Sequence, residues 1–546
     1  NEIGDEGATA IGTNTTWSIL TKLSLSNNKI GDKGATAIGT NTTWSQLECL
    51  YFDTNKIGNK GAISIGSNTS WIKLEKLWLA ENEIGDEGAA AIAKNVTWNE
   101  LKELYLNSNQ IGDDGAVAIG SNTTWINLKD LWLGANNIGD EGAAAIGANT
   151  AWSQLKQLAL YKNKIGDEGA VSIGSNTTWI NLEELLLQEN EIGDEGAVAI
   201  GANTTWSSLK KLDLNTNQIR DDGALSIGTN STWVDLEELR LGENVIGDEG
   251  AEAIGKNETW KKLRRLNLSA NKISDEGAKV IGENKTWNCL QELNMSHNQI
   301  GDIGVLAIER NFRFRNLIKL DLSANKIGDK GAIAIGRNAV WLELEELYLH
   351  ENEIGDLGVV EIGKNSSWNK LTSLTLNKNR IGDEGAIAMA LNTTWVNLER
   401  LHLHENEIKE KGALAIRMNG SWSKLKELLL DFKIVEDKKD PVSKVIEEKK
   451  ELVSVDPKSD QVDLKRNKNR VVPEESWISE AKLNQTQDKI PLLDNGIDSH
   501  GPKNVKAPMV ENDVTPHSIK VDKTQEKSIM TKICGSCLKI FQKQKK

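Results

Sequence analysis

Residues 20–44 read LTKLSLSNNKIGDKGATAIGTNTTW, and the same pattern returns every 27 residues over most of the chain. Trp marks the period at 17, 44, 71, 98, 125, 152, 179, 206, 233, 260, 287, 341, 368, 395 and 422, with Phe314 in the one remaining place. Two Asn columns, Asn1 to Asn406 and Asn14 to Asn419, and the Gly7 to Gly412 column keep the same spacing. Self-similarity at a period of this size is the signature of a stacked array rather than of separate globular domains. Sixteen copies fill residues 1–432.

Within one copy, Leu23 and Leu25 alternate with variable residues, the period-two signal of a short strand. From Asp32 to Gly39 the spacing turns helical, with Ala35, Ile38 and Gly39 on one face. Asp32 is expected to cap that helix at its start, with Lys33 or a Glu6-type residue in the first turn. Asn41 is expected to close it in a left-handed conformation. The Trp column is expected to form a buried ladder where the chain returns from helix to strand. A strand, a helix and two turns in 27 residues cannot enclose a core alone, but stacked copies can.

The pattern LxxLxLxxNxI…GxxxI resembles the leucine-rich repeats of the ribonuclease-inhibitor class, also carried by cytoplasmic NOD-like receptors and Ran GTPase-activating proteins. The resemblance implies an α/β horseshoe, with a parallel sheet on the concave face and helices on the convex face. It also implies that the Asn28-type residue satisfies backbone groups as the chain leaves the strand. The strict 27-residue length and the Trp column depart from that class.

A compositional boundary falls near Phe432. All seven prolines, Pro441 to Pro516, lie beyond it, whereas all but three of the 47 glycines lie before it. The array carries 42 Lys and Arg against 60 Asp and Glu, and residues 433–546 carry 23 against 19. So acidic an array suits basic protein surfaces and not nucleic acid, whose phosphates need cations. Four cysteines are too few for a disulfide framework. Cys49 and Cys289 sit in distant repeats, which favours a reducing, cytoplasmic setting. No run of 18 apolar residues occurs. The chain begins at Asn1 in mid-motif and without Met, and reads as a fragment. Residues 433–454 are expected to hold a capping helix, starting at Pro441 and covering the last repeat with Val445, Ile446 and Leu452. Residues 455–546 read as mostly disordered. Cys534 and Cys537, beside apolar and basic residues, are candidate lipidation sites for peripheral membrane contact.

The residue between the two strand leucines varies freely, except that four consecutive copies place an aromatic there: Tyr51, Trp78, Tyr105 and Trp132. Strand alternation aims this column at the concave face, and Tyr161 extends the stripe from the next strand. These five residues form the candidate protein-binding site. Glu81, Glu103, Asp53 and Asp130 flank them, so the fitting partner is a protein with an apolar patch ringed by Lys or Arg. The competing reading is cross-strand stacking that only stabilises the sheet.

Other motifs have structural explanations. The Gly-Asp-Glu-Gly corners place carboxylates at helix starts. Gly250 to Lys256 and Gly358 to Lys364 mimic a phosphate-binding loop, but Asn follows the Lys and both fall inside a helix. Thirteen of the sixteen Asn14-type residues sit in Asn-x-Ser/Thr sequons, as repetition alone requires. His350, His402 and His404 fall on neighbouring strands, which at about 4.8 Å spacing could just bring metal ligands together. But Asn377 lies between His350 and His404, and a solvated polar surface is the expected reading. Repeat twelve, with Arg310, Phe312, Arg313, Phe314 and Arg315, breaks the acidic pattern, either as a docking point or as a drifted copy. No residue is assigned to catalysis, a cofactor or a metal. The leading reading is a non-enzymatic scaffold or sensor that binds protein. The alternatives are a GTPase activator of the Ran type, which needs a loop outside the 27-residue period, and an extracellular recognition protein bearing glycans.

Overall fold

The computed structural model describes residues 1–431. The expected capping helix, the tail and the Cys534–Cys537 pair lie outside the described residues.

Each copy contributes a three-residue strand, from Lys22–Ser24 to Glu427–Leu429, and these make one 16-stranded sheet in chain order. Pairing is parallel and steps by one copy: Leu23 faces Leu50 and Leu50 faces Leu77. No paired strand departs from this step. A helix such as Asp32–Gly39 or Asn59–Gly66 runs on the other side of each copy. Strands sit about 4.8 Å apart and packed helices about 8–10 Å. The stack therefore curves with the sheet on its inner, concave side. Glycine keeps the helices close: a Cβ on Gly39 would lie 2.5 Å from the carbonyl carbon of Ser64 in the next helix.

Seven apolar columns fill the space between sheet and helices. In one copy these are Leu47, Leu50, Phe52, Ile57, Ala62, Ile65 and Trp71, all without solvent exposure. Burying each large side chain contributes about 1.5–3 kcal/mol. The Trp ladder lies where expected, between helix end and next strand. Trp17 is the exception at 42% exposed, because it has a neighbour on one side only. Most ladder indoles between Trp44 and Trp368 make no hydrogen bond through Nε1 among the described residues. Phe314 thus fills the ladder without leaving a polar group behind.

Two asparagine ladders tie copy to copy. Asn82 donates through Nδ2 to the carbonyls of Phe52, Leu79 and Ala80, and its Oδ1 accepts the Ile57 amide at 3.0 Å. This is the backbone-satisfying role implied for the Asn28 column. The residue just before it takes a left-handed conformation, as at Thr54 with φ 55°. In the second ladder, Asn68 donates to the carbonyls of Gly39 and Asn41 at 2.8 and 2.9 Å. Its Oδ1 accepts both the amide and the hydroxyl of Ser70. The recurring sequon is therefore the imprint of a buried hydrogen-bond ladder. Where Ala151 replaces the hydroxyl residue, its amide still bonds Asn149 at 2.8 Å.

Two local expectations are corrected. Asp32 does not cap its own helix; its Oδ1 accepts the amides of Gly58 and Gly61 in the next copy, both at 2.8 Å. The helices sit close enough that the carboxylate reaches the neighbour's free amides, and it opens its own helix instead of preceding it. Asn59 performs the same task where Asp is missing. Nor is the Asn41 column left-handed. Asn203 ends its helix extended, at φ −72° and ψ 114°, because its side chain is committed to the ladder.

Candidate functional site

In the strand Lys76–Trp78 the middle residue, Leu77, points into the core, leaving Lys76 and Trp78 on the concave surface. The same alternation aligns Tyr51, Trp78, Tyr105 and Trp132 as direct neighbours on consecutive strands. Their rings form a continuous ribbon. Centroids lie 4.4 Å apart from Tyr51 to Trp78, 4.9 Å from Trp78 to Tyr105 and 5.1 Å from Tyr105 to Trp132. All four are half-buried, by each other as much as by the sheet. Stacked and tilted pairs at this spacing contribute about 0.5–1.5 kcal/mol beyond burial. The rings thus stabilise the sheet and leave part of their surface open to solvent.

The ribbon extends at both ends. Lys22 places Nζ 4.9 Å from the Tyr51 centroid. Beyond Trp132 the column continues through the buried Ala159 and Leu186. Tyr161 joins from the side by lying against Gly134, in the space a Cβ would need. Burial holds the hydroxyls of Tyr51, Tyr105 and Tyr161 above the ordinary tyrosine pKa, so they remain neutral donors.

The flanking acids divide into two kinds. Glu103 is engaged, by Lys76 Nζ at 2.6 Å and by the Trp78 indole at 3.1 Å. Asp53 accepts the Ala80 amide and the Ser26 hydroxyl, and Glu81 accepts the Thr54 hydroxyl. Asp130 has neither an ion pair nor a side-chain hydrogen bond among the described residues. Burial and the neighbouring Glu103 push its carboxyl up to about 6. It lies part-buried on the same strand as Trp132.

A second concave feature was missed in the sequence. Glu238 gathers Arg240, Arg265 and Lys211, with Asp213 and Glu292 at the edges. The signal was the alternation Lys211, Glu238, Arg265, Glu292 in a single strand column. This region is neutralised internally, unlike the stripe. The histidines do not converge: His350 bonds the Thr375 hydroxyl at 3.0 Å, while His402 and His404 sit with centroids 6.1 Å apart. Burial lowers the His350 pKa. Gly250 to Lys256 lies within and just past the helix Asp248–Gly255, with Lys256 paired to Glu252. Among the described residues Cys49 and Cys289 form no disulfide.

A family model described as leucine-rich repeat matches twelve segments: residues 18–39, 72–93, 99–120, 126–147, 154–174, 180–201, 207–228, 235–255, 261–282, 288–308, 315–336 and 369–390. Among solved structures, the chain is similar to a leucine-rich-repeat protein of Leptospira interrogans. Identity is 24% and the TM-score 0.53, over 77% of this chain and 91% of that one. It is also similar to a TDR receptor, at 18% identity and TM-score 0.51, over 79% of this chain and 72% of that one. An internalin of Listeria monocytogenes aligns at 21% identity with a TM-score of 0.46, over 79% and 94%. No curated protein matches the chain. With the matched segments falling on the observed copies, and strand, Asn ladder and helix repeating in register, the chain is a leucine-rich-repeat protein.

Proposed function

We propose that the array is a protein-binding scaffold or sensor, and that its contact surface is the concave ribbon Tyr51, Trp78, Tyr105 and Trp132 with Tyr161. The observation that carries this reading is the ribbon's combination with Asp130. Asp130 sits part-buried at the ribbon's edge with neither an ion pair nor a side-chain hydrogen bond among the described residues, which leaves it open to a cation from a partner. Tyr and Trp are also the usual anchors of interfaces. The matching partner offers an apolar side chain to the rings and a Lys or Arg to Asp130. The helix carried by every copy supports the ribonuclease-inhibitor class of repeat. A cytoplasmic setting is proposed on the sequence alone, since Cys49 and Cys289 sit too many copies apart to pair with each other.

The test is a peptide-display selection on the folded protein. Selected sequences should pair an aromatic or large aliphatic residue with nearby Lys or Arg. They should lose binding to a Trp78→Ala, Trp132→Ala variant that still melts as one array. Selection of peptides indifferent to both substitutions would move the site elsewhere and leave the ribbon structural.

A further inference from the structure

Repeat twelve departs from the common unit at several positions, and the structure brings these departures onto one patch of the helical side. The helix Asp302–Arg310 carries Ile303 in its first turn, where neighbouring copies have Glu276 and Lys330. Phe312 stands where most copies have Thr or Ser. Neither residue serves the ladders. Phe314 is the buried ladder residue. Asn311 keeps both its donations, to the carbonyls of Gly282 and Asn284 at 2.7 Å, and accepts the Arg313 amide. Yet Ile303 is 61% and Phe312 63% exposed.

Between this helix and Asp275–Gly282 runs a groove of about 690 Å³ walled by Ile303, Leu306 and Phe312. Lys279, Lys285, Arg310 and Arg313 edge it, with Glu283 the single acid among its lining residues. None of the four cations forms an ion pair among the described residues. Arg313 lies 4.6 Å from the Phe312 centroid and bonds the Asn288 amide oxygen at 3.2 Å. The equivalent groove two copies earlier, about 530 Å³, has the opposite character. It is lined by Asp221, Asp222, Glu249, Glu252 and Glu258, and its Lys256 is neutralised by Glu252. A shape common to the fold has thus been given an apolar wall and a cationic rim at one place only among these two, on an array with 60 acids against 42 bases.

We propose that this groove is a second docking site, independent of the concave ribbon, and that it takes an acidic linear peptide carrying one bulky apolar side chain. The side chain packs on Ile303, Leu306 and Phe312, and the peptide's carboxylates meet Lys279, Lys285, Arg310 and Arg313. Charge-assisted pairs of this kind are the strong ones. A nucleic acid fits less well. Its phosphates need a long basic track, whereas the rim is four residues wide and the acidic array repels a polyanion on either side.

Fluorescence anisotropy on the full chain tests this, with a labelled peptide of alternating Asp and Glu around one central Phe as probe. Saturable binding is expected. Ile303→Glu with Phe312→Thr, which restores residues ordinary in other copies and so spares the fold, should weaken it by about tenfold or more. Arg310→Glu should do the same and reduce its salt dependence. Trp78→Ala with Trp132→Ala should leave it unchanged, which separates this site from the ribbon. Absence of saturable binding overturns the proposal. So does binding that survives both groove variants, equal binding of a peptide lacking Phe, or stronger binding of a single-stranded oligonucleotide.

Discussion

The ring of Tyr161 occupies the space above Gly134: a Cβ built at residue 134 would lie 2.4 Å from Tyr161 Cε1. The glycine is not there for backbone freedom, since its φ is not in the left-handed region. It is there because the aromatic from the next strand needs the room. Gly134→Val should therefore displace the ring and cost about 1–3 kcal/mol by overpacking. In a Tyr161→Ala background the same substitution should cost under about 0.5 kcal/mol. A urea double-mutant cycle measures the difference, and additive effects would dissolve the pairing.

Asp130 makes a pH prediction. Its folded carboxyl titrates at about 6 against the ordinary 3.8. Between those values the folded state holds more protons than the unfolded one, so stability falls as pH rises through this window. Asp130→Asn removes the effect. The variant should melt higher than wild type at pH 7, with the gap closing as pH falls towards 4. A gap independent of pH would mean that Asp130 is not held desolvated.

The capping arrangement predicts an effect in the neighbouring copy. Asp32→Ala should leave the amides of Gly58 and Gly61 without their acceptor. A lost cap of this kind costs about 0.5–2 kcal/mol. Hydrogen exchange should accelerate at residues 58 and 61, while Gly31 and Gly34, held by Asp5, keep their protection. Faster exchange at Gly31 instead would return the cap to its own helix.

The unbonded indoles predict which substitutions the ladder tolerates. Trp206 is fully buried, with its Nε1 making no hydrogen bond. Trp206→Phe should cost about 1–2 kcal/mol, the shape change alone, and Trp206→Ala about 3–5 kcal/mol. Thermal melts of the two variants decide. Equal losses would show that the indole nitrogen carries an interaction the geometry lacks.

The sequence by itself determined the copy number, the strand and helix of each copy, the buried columns and the concave aromatics, because each follows from a period. Leu50 must face the core if every copy does the same thing. Residues 51, 78, 105 and 132 must then align. What a period cannot state is which copy a side chain serves. Asp32 looked like a cap for its own helix, and only the close approach of neighbouring helices gave it to the next. Asn41 looked like a turn residue, and only stacking placed its amide between the carbonyls of Gly12 and Asn14. The same holds at the surface. Asp53, Glu81, Glu103 and Asp130 were equivalent acids in the sequence. Tertiary contacts engaged the first three and left Asp130 with no ion pair or side-chain hydrogen bond among the described residues, since hydrogen bonding and burial depend on distances that repetition does not encode.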